Sequence, residues 1–435
     1  MRIGILAPVA TADVAHLLTG GGREAPKGLA GAPFIATLIE SYLALGHEVV
    51  AFTSDRNLRT SRESVVLEGP KFRLWLCPSR PNGTMPHVRS PIGRIWDFFR
   101  VERRYLTQAL VQESTDILHA HWTYEFAWVA IASGRPCIVT IHDSPSDVLR
   151  LAPTPYTLGR YLMARKVLRA DIPLTAVSPH ISKVAAHRAS QKPVYLVANP
   201  LPSWLRSQLP LTFAKPQVGK AIVAMAPGYW SRFKNPLPGV IAFAELSAIR
   251  SSPMEMHLYG ADFAPGGKAE REILRAGISM HNIHLHGHLE HKALLKQICR
   301  ANLFLHTSLT ESFGMAVAEA MAMGIPVVAG ENSGAIPWLL REGAAGQLVN
   351  VNDVRAIRDA IAKGLSQADD IYTQIRIANE SIWKLTDQDT VAQKYIAAYQ
   401  ETIENHKDNM LSKPVKSQTC ESTSTKSDRR NESST

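Results

Sequence analysis

The stretch Glu311-Ser312-Phe313-Gly314-Met315-Ala316-Val317-Ala318-Glu319-Ala320 carries two acidic residues in an otherwise apolar run. From Met315 onward the apolar residues recur with helical spacing, and Gly324 supplies a C-terminal stop. Residues 303–310 before it and 325–329 after it are apolar runs typical of buried strands. The stretch therefore predicts a strand, a loop, a helix and a second strand, which is the repeating unit of a parallel α/β sheet.

The two glutamates take different places in this unit. Glu311 falls in the loop before the helix, and Glu319 lies about one and a half turns inside it. A helix N-terminus suits a phosphate, and ligands of open α/β sheets bind beyond the carboxyl ends of the strands. Carboxylates on either side of such a phosphate can accept hydrogen bonds from sugar hydroxyls. The alternative is that Glu311 is a solvated charge complementing the helix dipole and Glu319 lies on an exposed helix face.

The spacing of these residues resembles the signature of glycosyltransferase family 4. Seven residues separate the glutamates, with Ser312-Phe313-Gly314 after the first and Ala320 after the second. The resemblance implies two Rossmann-like α/β domains facing each other across a cleft (the GT-B fold), with a C-terminal crossover helix. It also implies a retaining, metal-independent enzyme that transfers a sugar from a nucleoside diphosphate donor to an acceptor hydroxyl. Such enzymes serve polysaccharide, glycolipid or glycoconjugate biosynthesis.

The resemblance also implies roles for these residues. Glu311 would orient the donor sugar and Glu319 would hold the ribose. Ser312, Phe313, Gly314 and Met315 would meet the donor diphosphate at the start of the helix.

Strand-like and helix-like segments alternate along the chain, which indicates doubly wound parallel sheets. At 435 residues the chain exceeds a single hydrophobic core. The predicted strands cover residues 2–8, 47–53, 72–77, 116–120, 136–141, 173–177 and 194–198, then 220–226, 254–259, 283–286, 303–307 and 325–329. The clearest predicted helices cover residues 33–45, 92–112 and 156–169.

These segments divide into two domains and two terminal pieces. Residues 1–205 form the predicted acceptor-binding domain and residues 206–386 the predicted nucleotide-sugar-binding domain, because residues 200–219 contain four prolines and little periodicity. Residues 387–405 read as a terminal helix, which in the resembled fold packs back on the first domain. Residues 406–435 are polar in composition and predicted to be disordered.

A second candidate element follows the first predicted strand of the second domain. Gly228 and Lys234 keep the spacing of a family glycine and lysine. Cations at this place would neutralise the charge that develops as the sugar–phosphate bond breaks. Tyr229 replaces the family arginine, and Arg232 lies close enough in sequence to substitute for it. The alternative is that Arg232 and Lys234 are ordinary surface cations.

Three further residues match positions of the resembled family, Gly31 and Gly334 as donor-binding residues and His142 as a catalytic one. Gly31, in a Gly-Ala pair before the first helix, would let the backbone approach a ligand closely. His142, in a Thr-x-His element, matches a histidine beside the transferring sugar. Gly334 matches a glycine of the donor loop, although Ala335 and Trp338 depart from that pattern. A flexible loop without ligand contact is the alternative for Gly31.

Neither a metal site nor a cofactor is expected. His119, His121 and His142 cluster at predicted strand ends, but no acidic or cysteine ligands accompany them in sequence, and a structural role is the alternative for the first two. The four cysteines are scattered, without disulfide or zinc-knuckle spacing, which suits a reducing cytoplasm. The nucleotide sugar enters as a substrate.

The net charge of +10 is concentrated in the first 200 residues, with 23 Lys and Arg against 15 Asp and Glu. Residues 91–105 mix aromatic and basic side chains, which fits either a core helix with a cationic outer face or an interfacial helix on anionic lipid. No apolar stretch reaches the ~20 residues of a membrane span. We therefore expect a cytoplasmic protein, peripheral at the inner face of the membrane.

The expected partners follow from the same features. They are a nucleotide-sugar donor, a carbohydrate or lipid-linked acceptor and an anionic membrane surface. No nucleic acid is expected, since no recognisable binding module accompanies the basic residues.

Two other functions stay open at this point. A sugar-nucleotide epimerase with the same fold would convert the donor without any acceptor. A carbohydrate- or nucleotide-binding protein without catalysis would fit the substitution at Tyr229. A dinucleotide dehydrogenase is disfavoured, because no tight glycine fingerprint with a downstream acidic residue follows the first strand.

Overall fold

A computed structural model describes residues 1–22, 25–58, 63–81, 93–185, 193–208, 220–366 and 368–411. Within them the chain forms two α/β units, each built around its own sheet.

The first sheet has eight strands in the order β3-β4-β2-β1-β5-β6-β7-β8. They are β1 (Arg2–Leu6), β2 (Glu48–Asp55), β3 (Val65–Gly69), β4 (Phe72–Pro78), β5 (Ile117–His121), β6 (Cys137–Ile141), β7 (Leu174–Ala176) and β8 (Val194–Leu196). All neighbouring pairs are parallel except β3 with β4, which form an antiparallel edge pair.

The second sheet has six parallel strands in the order β11-β10-β9-β12-β13-β14. They are β9 (Ala221–Gly228), β10 (Met254–Gly260), β11 (Ile283–Leu285), β12 (Leu303–His306), β13 (Val327–Gly330) and β14 (Gln347–Val349). The order of both sheets reverses beside the first strand of the unit, as in doubly wound folds.

Helices connect the strands in both units. They are α1 (Pro33–Ala44), α2 (Arg100–Leu110), α3 (Glu125–Ala132), α4 (Pro145–Leu151), α5 (Pro155–Leu168), α6 (Pro179–Ser182), α7 (Ser203–Gln208), α8 (Pro236–Ile249), α9 (Lys268–Arg275), α10 (His291–Ile298), α11 (Met315–Ala322), α12 (Ile336–Leu339), α13 (Val354–Gly364), α14 (Asp369–Thr386) and α15 (Gln388–Leu411).

The predicted fold class, two parallel-sheet α/β domains with a crossover helix, is confirmed. Helix α15 leaves the second unit and packs against the first, where Tyr395 and Tyr399 are fully buried. The Tyr399 hydroxyl hydrogen-bonds that of Tyr42 on α1 at 2.6 Å. Of the predicted linker (200–219) and the predicted disordered tail (406–435), residues 209–219 and 412–435 lie outside the described residues. In the described parts, α7 occupies Ser203–Gln208 and α15 continues to Leu411, so the prediction of disorder from residue 406 is wrong at its start.

The predicted helix over residues 92–112 is wrong in its first part. Helix α2 begins only at Arg100, and Phe98 and Phe99 before it have positive φ angles of 51° and 60°. Two consecutive aromatic residues in this left-handed region interrupt a helix. Arg94 is buried, so it does not belong to an outward cationic face.

The carboxyl ends of the two sheets meet across the cleft. Ser178, just after β7, donates a hydrogen bond from its hydroxyl to the carbonyl of Ser312 at 2.6 Å. Met315, at the start of α11, packs against the hydrophobic cores of both units. Loops that follow the strands of each unit therefore face one another, which is where α/β sheets place their ligands. Among the described residues no helix is both long and apolar enough to cross a membrane.

Candidate active site

Lys234 and Glu311 form an ion pair at the carboxyl edge of the second sheet. The Lys234 ammonium donates to Oε1 of Glu311 at 2.7 Å, and Nε2 of His306 at the end of β12 lies 3.2 Å from the same oxygen. Burial alone would raise the pKa of Glu311, but the charge of Lys234 and the neighbouring His306 outweigh it and hold that pKa well below its usual range. Glu311 is therefore an ionised hydrogen-bond acceptor at any physiological pH.

The loop that contains Gly334 holds the backbone of Glu311. The N–H of Ala335 donates to the Glu311 carbonyl at 2.8 Å, and Gly334 has a φ of +63°. A Cβ at position 334 would stand 2.4 Å from that carbonyl oxygen. Only glycine permits this approach. Gly334, predicted from its sequence to contact the donor, lies against Glu311 in this structure.

The N-terminus of α11 lies beside the ion pair. Gly314 has a φ of +91° and its carbonyl accepts from the Ala318 N–H, the first helical bond, so the N–H groups of the first turn have no helical acceptor. Phe313 is buried edge-on against Trp338 at 6.2 Å between ring centroids and so fixes the loop. Backbone donors, helix dipole and ammonium thus lie together at one strand end, an arrangement that favours an anion.

Glu319 faces inward from α11 and is paired. It is only 5% exposed, and its Oε1 lies 2.7 Å from Nε2 of His291, the first residue of α10. Burial opposes protonation of His291, yet the Glu319 carboxylate, with Asp13 from the first unit, raises its pKa above the ordinary value. The alternative of a solvated helix face does not describe Glu319.

The loop after β9 carries the remaining cation. Gly228 ends the strand with a φ of +78°, and Tyr229 beside it is 64% exposed. Arg232 is exposed and makes no ion pair or hydrogen bond within the described parts of the chain. The structure therefore brings Lys234 to Glu311 and leaves Arg232 at the surface of the same loop.

His142 is the candidate contributed by the first unit. It follows β6, it is 8% exposed, and its Nε2 shares a hydrogen bond with Nδ1 of His121 at 2.8 Å. Burial lowers the pKa of His142 to about 3, so the imidazole is neutral. Its ring lies 4.4 Å from that of Trp122, whose φ of +66° is unusual for a bulky residue. Gly31 lies exposed in the loop before α1, with a φ of +116°.

Sequence reasoning assigned no role to His306, His291 or Trp122. His306 could have been found, because it ends the predicted strand just before Glu311. Nothing in the sequence near Glu319 points to His291, whose contact is made by the folding of a separate helix. No sequence feature that we used points to Trp122, which stands out only in the structure, by its positive φ angle.

Family models match both units. The one described as "Glycosyl transferase 4-like domain" matches residues 30–200, and the one described as "Glycosyl transferases group 1" matches residues 228–367. The chain belongs to glycosyltransferase family 4. The second match contains Gly228, Lys234, Glu311 and Glu319 of this family 4 glycosyltransferase.

Two curated relatives of this family 4 glycosyltransferase are similar to different extents. The N-acetyl-alpha-D-glucosaminyl L-malate synthase of Bacillus anthracis is 22% identical over 322 residues, 70% of this chain and 80% of the relative. A component of the human phosphatidylinositol N-acetylglucosaminyltransferase is 37% identical over 86 residues, 19% of this chain and 18% of the relative.

Solved structures with the GT-B fold match almost the whole chain of this family 4 glycosyltransferase. The sucrose-phosphate synthase of Thermosynechococcus elongatus has a TM-score of 0.68 at 17% identity, covering 93% of this chain and 100% of that one. An Anabaena protein in complex with UDP and glucose has a TM-score of 0.60 at 16% identity, covering 92% and 100%. At these identities the likeness shows the fold alone.

Proposed function

We propose that this glycosyltransferase transfers a sugar, with retention at the anomeric carbon, from a nucleoside diphosphate donor to an acceptor hydroxyl in polysaccharide, glycolipid or glycoconjugate synthesis. The observation that carries the proposal is the Lys234–Glu311 ion pair, held at 2.7 Å beside the N-terminus of α11. A cation, a helix N-terminus and an ionised carboxylate suit the phosphates and the hydroxyls of a nucleotide sugar, respectively.

The donor phosphates would bind at Lys234 and the first turn of α11. As the sugar–phosphate bond breaks, negative charge grows on the leaving diphosphate, and preorganised donors stabilise it. Arg232, exposed on the loop that carries Lys234, would add a second cation. We assign phosphate neutralisation to these protein groups and no catalytic metal.

Glu311 would orient the donor sugar and Glu319 the ribose. Glu311 is ionised and accepts from Lys234 through one oxygen, so its other oxygen would receive a sugar hydroxyl. Glu319 is bonded to His291 through Oε1, which leaves Oε2 for a ribose hydroxyl. Gly31 and Gly228 would let backbone approach the donor from either side of the cleft.

Retention would come from attack on the face of the sugar that the phosphate leaves. A double displacement needs a carboxylate near the anomeric carbon. The residue that the first unit contributes here is His142, which is neutral and whose Nε2 is engaged by His121. Its Nδ1 would bond a sugar hydroxyl, and the departing phosphate would take the acceptor proton.

The acceptor would bind in a cavity of about 140 Å³ in the first unit. Trp122, which packs on His142, forms part of its wall, together with Arg56, Arg94 and Arg160. Arg160 is ion-paired with Asp143 at 3.2 Å. One carboxylate, that of Glu125, shares the lining. Burial lowers the pKa of Arg94, and the neighbouring charge of Arg56 lowers it further.

We propose an acceptor that carries a phosphate or carboxylate group. The Bacillus anthracis relative, an N-acetyl-alpha-D-glucosaminyl L-malate synthase, is named for a product that contains malate, and this supports an acceptor with a carboxylate. Arg56→Gln should raise the acceptor KM at least tenfold and leave donor affinity unchanged, while Arg150→Gln, a surface variant on α4, should change neither. An unaltered KM in Arg56→Gln would contradict the anion site.

We propose a peripheral membrane contact through the exposed side chains of residues 96–104. Arg100 and Arg104 on α2 are exposed, and Trp96 is 60% exposed. In vesicle co-sedimentation, binding should require anionic lipid, fall with salt, and weaken in Arg100→Glu/Arg104→Glu. Equal sedimentation with neutral and anionic vesicles, or none with either, would contradict the contact.

Donor identity is tested by thermal-shift screening with UDP-, GDP- and ADP-sugars. A ligand at 100 times its dissociation constant should stabilise the protein by about 2.7 kcal/mol. Incubation of the best donor without acceptor then separates the alternatives. A sugar-nucleotide epimerase would convert the donor without any acceptor. A binding protein, the alternative suggested by Tyr229 in place of the family arginine, would bind the donor and transfer no sugar to any acceptor.

A further inference from the structure

Three potential metal ligands share one face at the free edge of the second sheet. Glu255 and His257 alternate on β10, so both side chains leave the same face of the strand. His284 lies on the edge strand β11 directly opposite His257 in the parallel register. Residues from two adjacent strands therefore converge at a place well separated in sequence from the catalytic residues.

The spacing of their donor atoms suits a tetrahedral ion. Nε2 of His284 lies 3.1 Å from Oε1 of Glu255, and Nε2 of His257 lies 3.6 Å from Oε2. All three donor atoms lie within 4.8 Å of one another. Zinc bonds of about 2.0–2.1 Å at tetrahedral angles place neighbouring ligand atoms about 3.3 Å apart. The three side chains are thus close to the geometry of a bound ion before any ion is present.

The two imidazole nitrogens that face Glu255 are shielded from solvent. Nε2 of His257 and Nε2 of His284 lie 3.6 Å and 3.1 Å from the carboxylate, and neither contact has hydrogen-bond geometry within the described residues. Buried polar groups are normally hydrogen-bonded. A cation between these nitrogens and Glu255 would satisfy both imidazoles.

Groups around the cluster orient it as the outer partners of a metal site do. Nδ1 of His257 shares a hydrogen bond with Nε2 of His286 at 2.9 Å, which commits that nitrogen and turns Nε2 towards the cluster. His286 is itself stacked on Tyr259, with ring centroids 4.6 Å apart. Lys220 donates to Oε1 of Glu255 at 2.5 Å and holds the carboxylate.

We propose that Glu255, His257 and His284 bind a divalent transition-metal ion, zinc by preference of ligand type, with water in the fourth position. Two imidazoles and one carboxylate are a known zinc ligand set. The three side chains are partly buried.

The ion would act on structure rather than on the transferred sugar. It would fasten β11, an edge strand of three residues, to β10. The segment after β11 leads directly into α10, whose first residue, His291, bonds Glu319. A metal at this edge would therefore stabilise the helix that supports the ribose end of the donor site. This inference stands independently of the proposed donor and acceptor.

The test uses the full chain without a histidine tag, stripped with chelator and dialysed. Isothermal titration with Zn²⁺ should give one site per chain, and Co²⁺ should give the visible absorption bands of a four-coordinate site. His257→Gln and His284→Gln should weaken Zn²⁺ binding at least 100-fold. His286→Gln, which removes only the outer partner, should weaken it about 10–100-fold. His281→Gln, an exposed histidine three residues before His284, is the matched control and should bind as the unaltered protein does.

The change in melting temperature on adding Zn²⁺ distinguishes loss of the site from loss of stability in a variant. Zn²⁺ should raise it in the unaltered protein and in His281→Gln, and should leave it unchanged in folded His257→Gln and His284→Gln. Absence of stoichiometric binding by the unaltered protein would overturn the proposal. So would binding of equal affinity in all four variants, which would mean that the ion sits elsewhere. If ion pairs between Glu255 and protonated histidines alone held the cluster together, the unaltered protein would not bind Zn²⁺ stoichiometrically.

Discussion

Lys234 and Glu311 are 77 residues apart in sequence, and their side chains are 2.7 Å apart in space. The loop after β9 supplies the cation and the loop after β12 the carboxylate, and these strands are neighbours in the sheet. The pair therefore ties together the two loops that we assign to the donor. Loss of the ion pair should lower the rate of transfer more than the free energy of unfolding, because Lys234 and Glu311 lie at the cleft.

The two glutamates should fail in different ways. Glu311→Gln should mainly lower kcat, because orientation of the donor sugar matters most in the transition state. Glu319→Gln should mainly raise the donor KM and weaken binding of the free nucleoside diphosphate, because it holds the ribose. Steady-state kinetics and titration with the diphosphate separate the two effects. An equal loss of diphosphate affinity in both variants would refute this division of roles.

Lys234→Ala should reduce transfer by about 10² or more, the usual loss when one preorganised charge-stabilising donor is removed. Lys363→Ala, an exposed lysine on α13 of the same unit, is the matched control and should transfer normally. Transfer by the unaltered enzyme should also survive EDTA at a temperature well below its melting point. Abolition by chelator under those conditions, with rescue by Mg²⁺ or Mn²⁺, would overturn the assignment of phosphate neutralisation to protein cations.

The His291–Glu319 pair should make stability depend on pH in a defined direction. Because the pKa of His291 is raised above its ordinary value of 6.5, its stabilisation is fully present below that value and is lost as pH rises through the folded pKa. The difference in free energy of unfolding between the unaltered protein and His291→Gln should thus be larger at about pH 5.5 than at about pH 9. Urea denaturation at both values measures it, with His281→Gln as the control. A difference that stays constant or grows with pH would contradict the pairing.

Tyr399 connects the crossover helix to the strands beneath His142. Its hydroxyl contacts Nδ1 of His119 at 2.6 Å and the hydroxyl of Tyr42 at 2.6 Å, all fully buried. Tyr399→Phe removes both bonds and leaves buried partners unsatisfied, so it should cost about 1–3 kcal/mol of unfolding free energy. Tyr161→Phe on α5 is the matched change and should cost far less, since no hydrogen bond is made by its hydroxyl within the described residues. Equal unfolding free energies for the two variants would count against the buried network.

The sequence predicted those parts of the fold that depend on local patterns. Period and flanking glycines placed α1, β12 and α11 to within a few residues. The sequence does not predict β3, which is a short edge strand with alternating exposure. It predicts too early a start for α2, because no local sequence feature indicates the left-handed backbone angles of Phe98 and Phe99. Such features depend on tertiary packing, which the local sequence pattern does not determine.

The site shows the same division. The resemblance to the family spacing of Gly228 and Lys234 predicted the cation, and the structure places Lys234 in the loop after β9, beside Glu311. The partners His306 and His291 are brought in by other elements, and the contact of Gly334 with the Glu311 backbone depends on how two loops stack. Such contacts between separate loops leave no local trace in the residues themselves.

The most direct test of the central claim is the affinity of the nucleoside diphosphate of the best donor, measured by isothermal titration. It requires no knowledge of the acceptor. We expect Lys234→Ala to weaken binding at least tenfold, whereas Lys363→Ala should bind as the unaltered protein does. Unchanged affinity in Lys234→Ala, in a protein that still binds the diphosphate, would place the donor elsewhere and contradict the assignment of the donor site.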